Sequence, residues 1–433
     1  MKTVKTPTKH YIWYVIILLW VINIFNYIDR MALSVLLPEI KKDMALSDSQ
    51  LGLLVGFAFS VFYAVCGIPI ARLADRTVRK NVIVGALAVW SVMTALSGAA
   101  HNFWHLFAAR VGIGAGEAGC IPPAQSVICD YVRPSLRAGV LAFHSFGMFV
   151  GMMTGMAAAG WLADAVGWRW TFAVFGISGV GLALLVWLTL REPVRGAFDK
   201  VGDRAIAAPT LRVALDSLRR KRTYVFIVSF AATNGFVQYG LNQWWPSFFA
   251  RTYGLPPGSV GLPLGVAIAA GSGFGLLLGG FAASKCTDKH VKLPLALGAA
   301  SVLLAIPAAL GSIFAESFAL SILFVGLSCL LWCVPHGPVM ATQFNITRPD
   351  MRATAGAVPI FFTSIVGFGL GPLTVGLLSD MLAPSAGADS LRYALLAPVA
   401  GLPIMALVLW GASRSLVADL DDLDSIKADH AIA

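Results

Sequence analysis

Charge is scarce in this chain. Only 12% of its 433 residues are Asp, Glu, Lys or Arg, against about 25% in soluble domains, which excludes a fold built around a single core in water. Cysteine is scarce too: there are six, with no spacing that resembles a disulfide frame or a zinc site. Cys329 and Cys333, one helical turn apart in an apolar run, read as small packing residues. His101 and His105 have no carboxylate in their pattern and read as interfacial, not as metal ligands. There is no His-Glu-x-x-His, no nucleophile elbow and no phosphate loop, so hydrolytic and nucleotide-dependent enzymes lack their machinery and no cofactor is called for. A net charge of +10 without a basic stripe interleaved with aromatics does not describe a nucleic-acid binder.

What the chain has in quantity is apolar residues, 58% of the total. They fall into runs of about 20 residues, each long enough to cross ~30 Å of hydrocarbon as a helix. The runs lie near 11–37, 51–74, 81–100, 103–129, 137–163, 169–190, 222–249, 259–283, 291–312, 318–345, 353–382 and 390–412. The first is too long for a secretory signal, carries charge and lacks a small-residue cleavage pattern, so it is expected to remain as a span. With twelve spans and both termini cytoplasmic, 25 of the 32 Lys and Arg fall inside, five outside (Lys41, Lys42, Arg169, Arg251, Arg392) and two in the membrane (Arg30, Arg110). That asymmetry satisfies the positive-inside rule and accounts for the net charge. The expected division is a tail at 1–10, a six-helix bundle at 11–190, a basic linker at 191–221, a second six-helix bundle at 222–412 and an acidic tail at 413–433. A short amphipathic helix around Leu211–Leu218 suits the membrane surface.

The two halves are copies. Ala71-Arg72-Leu73-Ala74-Asp75-Arg76 after span two corresponds to Ser284-Lys285-Cys286-Thr287-Asp288-Lys289 after span eight, at an offset of 213. Asp130-Tyr131-Val132-Arg133-Pro134-Ser135-Leu136-Arg137-Ala138 recurs as Asn345-Ile346-Thr347-Arg348-Pro349-Asp350-Met351-Arg352-Ala353, offset 215. Gly160-Trp161-Leu162-Ala163-Asp164 recurs as Gly376-Leu377-Leu378-Ser379-Asp380, offset 216. Two six-helix bundles related by a parallel repeat describe an all-α membrane protein of the major facilitator architecture, with a substrate site expected near the midplane. The loop after span two also resembles that family's motif of Asp-Arg followed by a basic pair. Asp75, Arg76, Arg79 and Lys80 fit it, while Ala71 and Val78 stand where glycines are usual. With Asp288 and the repeated Arg137 and Arg352, these are the expected gating residues, Asp75 capping a helix end and pairing with arginines.

Inside the membrane, four ionisable residues stand out: Asp29 and Arg30 in span one, Arg110 and Glu117 in span four. A charge in hydrocarbon costs about 2.5 to 3.5 kcal/mol on insertion scales, so it persists only facing water or a partner. Arg110 and Glu117 are seven residues apart and share a face, about 10 Å apart along the helix. Gly112, Gly114 and Gly116 beside them permit close helix approach. Asp29 and Arg30 point about 100° apart, so they cannot share one target. At the repeat offset Arg110 and Glu117 correspond to Val325 and Trp332, so the charges belong to one half only, which favours function over scaffold. Burial favours a neutral carboxylic acid and a neighbouring arginine favours its ionised form, so opening the site or adding an anion changes proton occupancy. Asp29 and Glu117 are therefore the expected proton carriers. Arg30 and Arg110 would hold an anionic head through their rigid forks. Gln238, Tyr239, Asn242, Gln243 and Trp244 of span seven, with Trp332 and His336 of span ten, would supply an uncharged, aromatic wall suited to an amphiphile.

Asn26-Tyr27-Ile28-Asp29-Arg30, the stretch Arg110 to Gly116-Glu117-Ala118, Gly167-Trp168-Arg169-Trp170 and Arg191-Glu192-Pro193-Val194-Arg195-Gly196 together resemble bacterial Spinster-like major facilitator transporters. The resemblance implies that Asp29, Arg30, Arg110 and Glu117 form the coupling and binding site. Because animal relatives export lysolipids and sphingoid phosphates, it also agrees with an amphiphilic anion. The anion:cation symporters, which import sugar acids and aromatic carboxylates with protons, share the charged residues. The Gly-Trp-Arg-Trp and Arg-Glu-Pro-x-Arg-Gly elements favour Spinster.

The sequence therefore predicts a monomeric, proton-linked transporter of an organic anion, with lipid, protons and the anion as its partners. It is expected in a bacterial inner membrane with both termini cytoplasmic. A symporter of small organic acids and a non-transporting receptor or sensor are the alternatives; an enzyme is not expected.

Overall fold

The computed structural model describes residues 8–195, 211–285, 290–347 and 351–432. Among these nearly every residue is helical and none is in a strand, as a chain must be whose backbone groups have no water to bond in hydrocarbon. Nine helices among the described residues are long and apolar enough to cross a membrane. One of them, Gly139–Thr189, has 51 residues, roughly 75 Å of helix against the ~30 Å needed. Gly167, at φ 80°, turns the chain within it and separates spans five and six. Two more crossings are each interrupted midway: Phe103–Glu117 is followed by Ile121–Tyr131 as span four, and Arg222–Asn242 by Trp245–Tyr253 as span seven. Twelve crossings result, as the apolar runs predict. Large apolar side chains on their outer faces, among them Trp104, Trp161, Leu277, Leu323 and Met381, are exposed to where lipid would lie.

The chain forms two compact units. The first comprises Met1–Leu46, Ala58–Asp203 and Pro256–Gly265. Its centre is a cluster of Leu19 and Ile22 from span one, Ile83, Leu87 and Trp90 from span three, Ile113 and Val127 from span four and Val186 from span six. Span one (Lys9–Met44) runs along span five, where Gly155 lets the Ile28 backbone come so close that a methyl group would not fit. The second unit comprises Ser47–Phe57, Arg204–Leu255 and Val266–Ala433. In it span seven meets span twelve and the π-helical turn Thr363–Leu370 of span eleven.

The third repeated sequence element has the same use in both units. In the second, Ser47 and Gln50 form a capping box at the start of span two (Asp48–Arg76), and Asp380 accepts the Asp48 and Ser49 amides at 3.0 and 2.7 Å. The Asp48 carboxylate, buried, takes both arms of Arg251 at 2.7 and 2.5 Å and the Ser379 hydroxyl at 2.6 Å. In the first, Asp164 accepts the Gly258 amide at 3.1 Å, in the opening turn of span eight (Pro257–Lys285). Four residues before each carboxylate is a glycine, Gly376 or Gly160, against which the backbone of the capped segment rests. A carboxylate at a helix start answers both the unbonded amides and the positive end of the helix dipole.

Candidate functional site

The charged residues of spans one and four converge within the first unit. Arg30 Nε lies 2.6 Å from Glu117 Oε2. Asp29, one residue back and turned away from it, accepts the Thr94 hydroxyl of span three at 3.2 Å, beside the Trp90 indole. All four ionisable groups are buried, Glu117 completely and Asp29, Arg30 and Arg110 at 3–4% exposure. The divergence predicted for neighbouring residues on span one is thus real: one joins span four, the other span three.

Burial of these charges is made tolerable by what surrounds them. The Arg30 guanidinium lies 5.1, 4.9 and 5.0 Å from the ring centres of Tyr27, Phe59 and Tyr63, and that of Arg110 lies 5.3 Å from Phe59. Ring faces attract cations, most strongly where water is excluded. Arg110 feels both Glu117 and Asp29, and the Asn26 amide stands beside Glu117. With all four groups ionised, two carboxylates and two guanidiniums would sum to zero. Span four approaches closely because Gly114 presents no side chain to the Phe59 carbonyl, and Gly116 none to the Trp90 backbone. The helix then breaks: Glu117 is the last residue of its first segment, and short turns through 118–120 precede Ile121.

The uncharged residues expected to line a wall all lie in the second unit. Gln238 and Tyr239 are partly exposed, and the Tyr239 ring stacks on Phe368 with centres 3.5 Å apart. Asn242 and Gln243 are buried, and both atoms of the Asn242 amide and Gln243 Oε1 lack a partner among the described residues. Trp244 donates its indole proton to the Pro372 carbonyl of span eleven at 3.0 Å, so its polar atom is committed to packing. Trp332 is buried, and His336 lies 3.1 Å from the Asn234 amide and against Phe230.

Of the expected gating residues, Arg79 is the most engaged. Buried at the start of span three, it pairs with Asp130 at 2.5 Å and Glu192 at 2.8 Å and reaches the Ser126 hydroxyl at 2.8 Å. Glu192 also accepts the Lys80 amide at 2.9 Å. Arg195 donates to the Ala74 carbonyl at 2.7 Å, to that of Thr77 at 2.5 Å, and to that of Asp75. The motif after span two and the Arg-Glu-Pro-Val-Arg stretch after span six are therefore one assembly. Asp75 and Arg76 are exposed, so here it is the Asp75 carbonyl that holds an arginine. Arg137 binds the Cys129 and Val132 carbonyls at 3.0 and 3.3 Å, at the end of span four. The side chain of Arg352, at the start of span eleven, and all of Asp288 lie outside the described residues.

Several neighbours of the charged centre escaped the sequence reading: Tyr27, Phe59 and Tyr63 around Arg30, Thr94 on Asp29, and Asn26 beside Glu117. A signal for some of them existed. Asn23, Asn26, Arg30 and Ser34 recur at intervals of three and four on span one, a buried polar stripe in an apolar helix.

Residues 19–372 match the family model of the Major Facilitator Superfamily. The chain is 33% identical over 411 residues to an MFS-type efflux pump of Mycolicibacterium smegmatis, covering 94% of each chain. It is 29% identical over 393 residues to human protein spinster homolog 1, covering 85% of this chain and 73% of that one. A crystal structure of a bacterial homolog of the human lysosomal transporter Spinster, inward-facing and unoccupied, superposes with a TM-score of 0.87 at 30% identity, over 95% of this chain and 99% of that one. The chain belongs to the Major Facilitator Superfamily as a Spinster-like member, a membrane transporter and not an enzyme.

Proposed function

We propose that the protein transports an organic anion, amphiphilic in character, together with protons, exposing its site alternately to the two sides of a bacterial inner membrane. One observation carries this: the buried contact of 2.6 Å between Arg30 and Glu117. An anion that takes Arg30 for itself strips Glu117 of its counter-charge. A carboxylate left unpaired in a dry site takes up a proton sooner than it stays ionised. Anion and proton thus bind together, and Arg110 and Asp29 adjust the same balance from beside it. The aromatic faces of Tyr27, Phe59 and Tyr63 offer apolar surface next to the anion's charge, which supports an amphiphile over a small hydrophilic acid. The relative named an efflux pump supports outward movement of the substrate.

The test is proton flux in liposomes carrying an internal pH dye. Oleate and lysophosphatidate would be compared with benzoate and glucuronate, for wild type and Glu117→Gln. Proton movement driven by an amphiphile and lost at least tenfold in the variant is the expected outcome. Flux with benzoate or glucuronate alone would turn the assignment to a small-acid symporter. Substrate crossing without protons would refute coupling, and binding without any crossing would leave a sensor.

A further inference from the structure

A second polar cluster, outside the charged centre, lies where spans one and five meet. Asn23 donates from Nδ2 to the His144 carbonyl at 2.7 Å. That leaves Asn23 Oδ1 and the imidazole Nδ1 of His144 buried with no partner among the described residues, and the Trp20 indole nitrogen likewise. His144 is 2% exposed and Asn23 5%. Gly147, one turn beyond His144, holds the site open: a methyl group there would come within 3.1 Å of the Trp20 indole nitrogen and 3.3 Å of the Asn23 amide. A dry polar atom left unsatisfied costs about 1 to 3 kcal/mol, so one helix junction that gathers three of them is not assembled for packing. The cluster also continues toward the charged centre. Asn26, three residues on from Asn23, is completely buried, and its amide stands beside Glu117.

We propose that His144, with the Asn23 and Asn26 amides, carries protons between Glu117 and the cytoplasmic side. This rests on the proton-linked reading above. The proton leaves the Glu117 carboxyl oxygen, passes through water held by the two amides, and arrives on Nδ1 of the neutral imidazole. The imidazolium gives up its Nε2 proton to the inner side, and the ring is neutral again. Amides hold the water but cannot keep the proton; imidazole can take it and return it near neutrality. Trp20 and Asn23, both neutral, lie at this junction: Asn23 bonds the His144 carbonyl, and both stand beside Gly147 one turn on. Ionisable side chains within membrane helices mark such relays.

Two transport modes separate a relay from a substrate contact. Net proton-coupled uptake of lysophosphatidate requires the proton to travel; counterflow of labelled against unlabelled lysophosphatidate does not. His144→Gln, which keeps a hydrogen-bonding side chain of similar reach, is expected to slow net coupled flux at least tenfold and leave counterflow within twofold of wild type. Asn23→Leu should reproduce the split, and size-exclusion profiles establish that both variants fold. Equal loss of both modes would make His144 a substrate contact, and coupled flux within twofold of wild type would make it structural. Either outcome overturns the relay while wild type and Glu117→Gln still report coupling. A wild type that moves lysophosphatidate with no proton removes the coupled reading itself, and the relay with it.

Discussion

A guanidinium 2.6 Å from a carboxylate, with three aromatic rings about 5 Å away, has lost most of its water, and so has its partner. Removing one member of such a pair strands the other as a buried charge, a loss of about 3 to 5 kcal/mol, whereas replacing both by apolar residues is often neutral. Arg30→Met is therefore expected to lower the stability of the detergent-solubilised protein by about 3 to 5 kcal/mol. Adding Glu117→Leu should recover most of that loss. Chemical or thermal unfolding of the two single variants and the double variant reads the coupling directly. A double variant as unstable as the worse single one would mean that the residues do not act as a pair. The same experiment separates roles, since the recovered double variant is expected to fold and not to transport. At this scale the sequence was informative about charge and poor about surroundings. Asp29 and Arg30 announce themselves in an apolar run. That their side chains diverge follows from helix geometry alone. The rings of Phe59 and Tyr63 come from another helix, and no local pattern ties them to Arg30. His144, a lone imidazole in the span five run, was not among the ionisable residues singled out from the sequence. Its polar neighbours on span one became visible only once the helices were placed.

Helix ends and breaks are the second scale. Asp380 accepts two amides at the start of span two, and Asp164 one at the start of span eight. Side-chain caps are worth about 0.5 to 2 kcal/mol, so Asp380→Ala is expected to cost about 1 to 2 kcal/mol and Asp164→Ala less. Chemical denaturation of the two alanine variants side by side checks the order, and the reverse order would mean that the caps are not what the carboxylates contribute. The third repeated element was found in the sequence as a match of letters at constant offset. Its meaning was hidden because the amides it binds begin other helices, far along the chain. Spans themselves were legible because ~20 apolar residues in a row leave a helix few alternatives. The interruptions of spans four and seven were not. Their signal lies just past each break and was not read from the sequence. Both new segments open on proline, Pro122 and Pro123 in span four and Pro246 in span seven, which lack the amide proton that a continuous helix would need from them.

On the scale of the whole molecule, hydropathy and the distribution of Lys and Arg determine how the chain lies in a bilayer. The placement of both termini inside is testable without knowledge of the substrate. Green fluorescent protein fused after Ala433 is expected to fluoresce, and alkaline phosphatase inserted after Gly254, in the loop between spans seven and eight, to be active. The opposite pair of results would invert the topology and place Arg79 and its partners Asp130 and Glu192 outside.

The two capped helices also bear on how such a chain arose. Each carboxylate belongs to one copy of the repeat, and the amides it holds belong to the other: Asp164 serves residues after the linker, and Asp380 serves residues before it. A half-length ancestor made of one copy would have had both a carboxylate and a waiting helix start, but would have satisfied neither alone. Two identical ancestors would have satisfied each other reciprocally. Duplication and fusion of such a chain would keep, within one molecule, an exchange between separate ones.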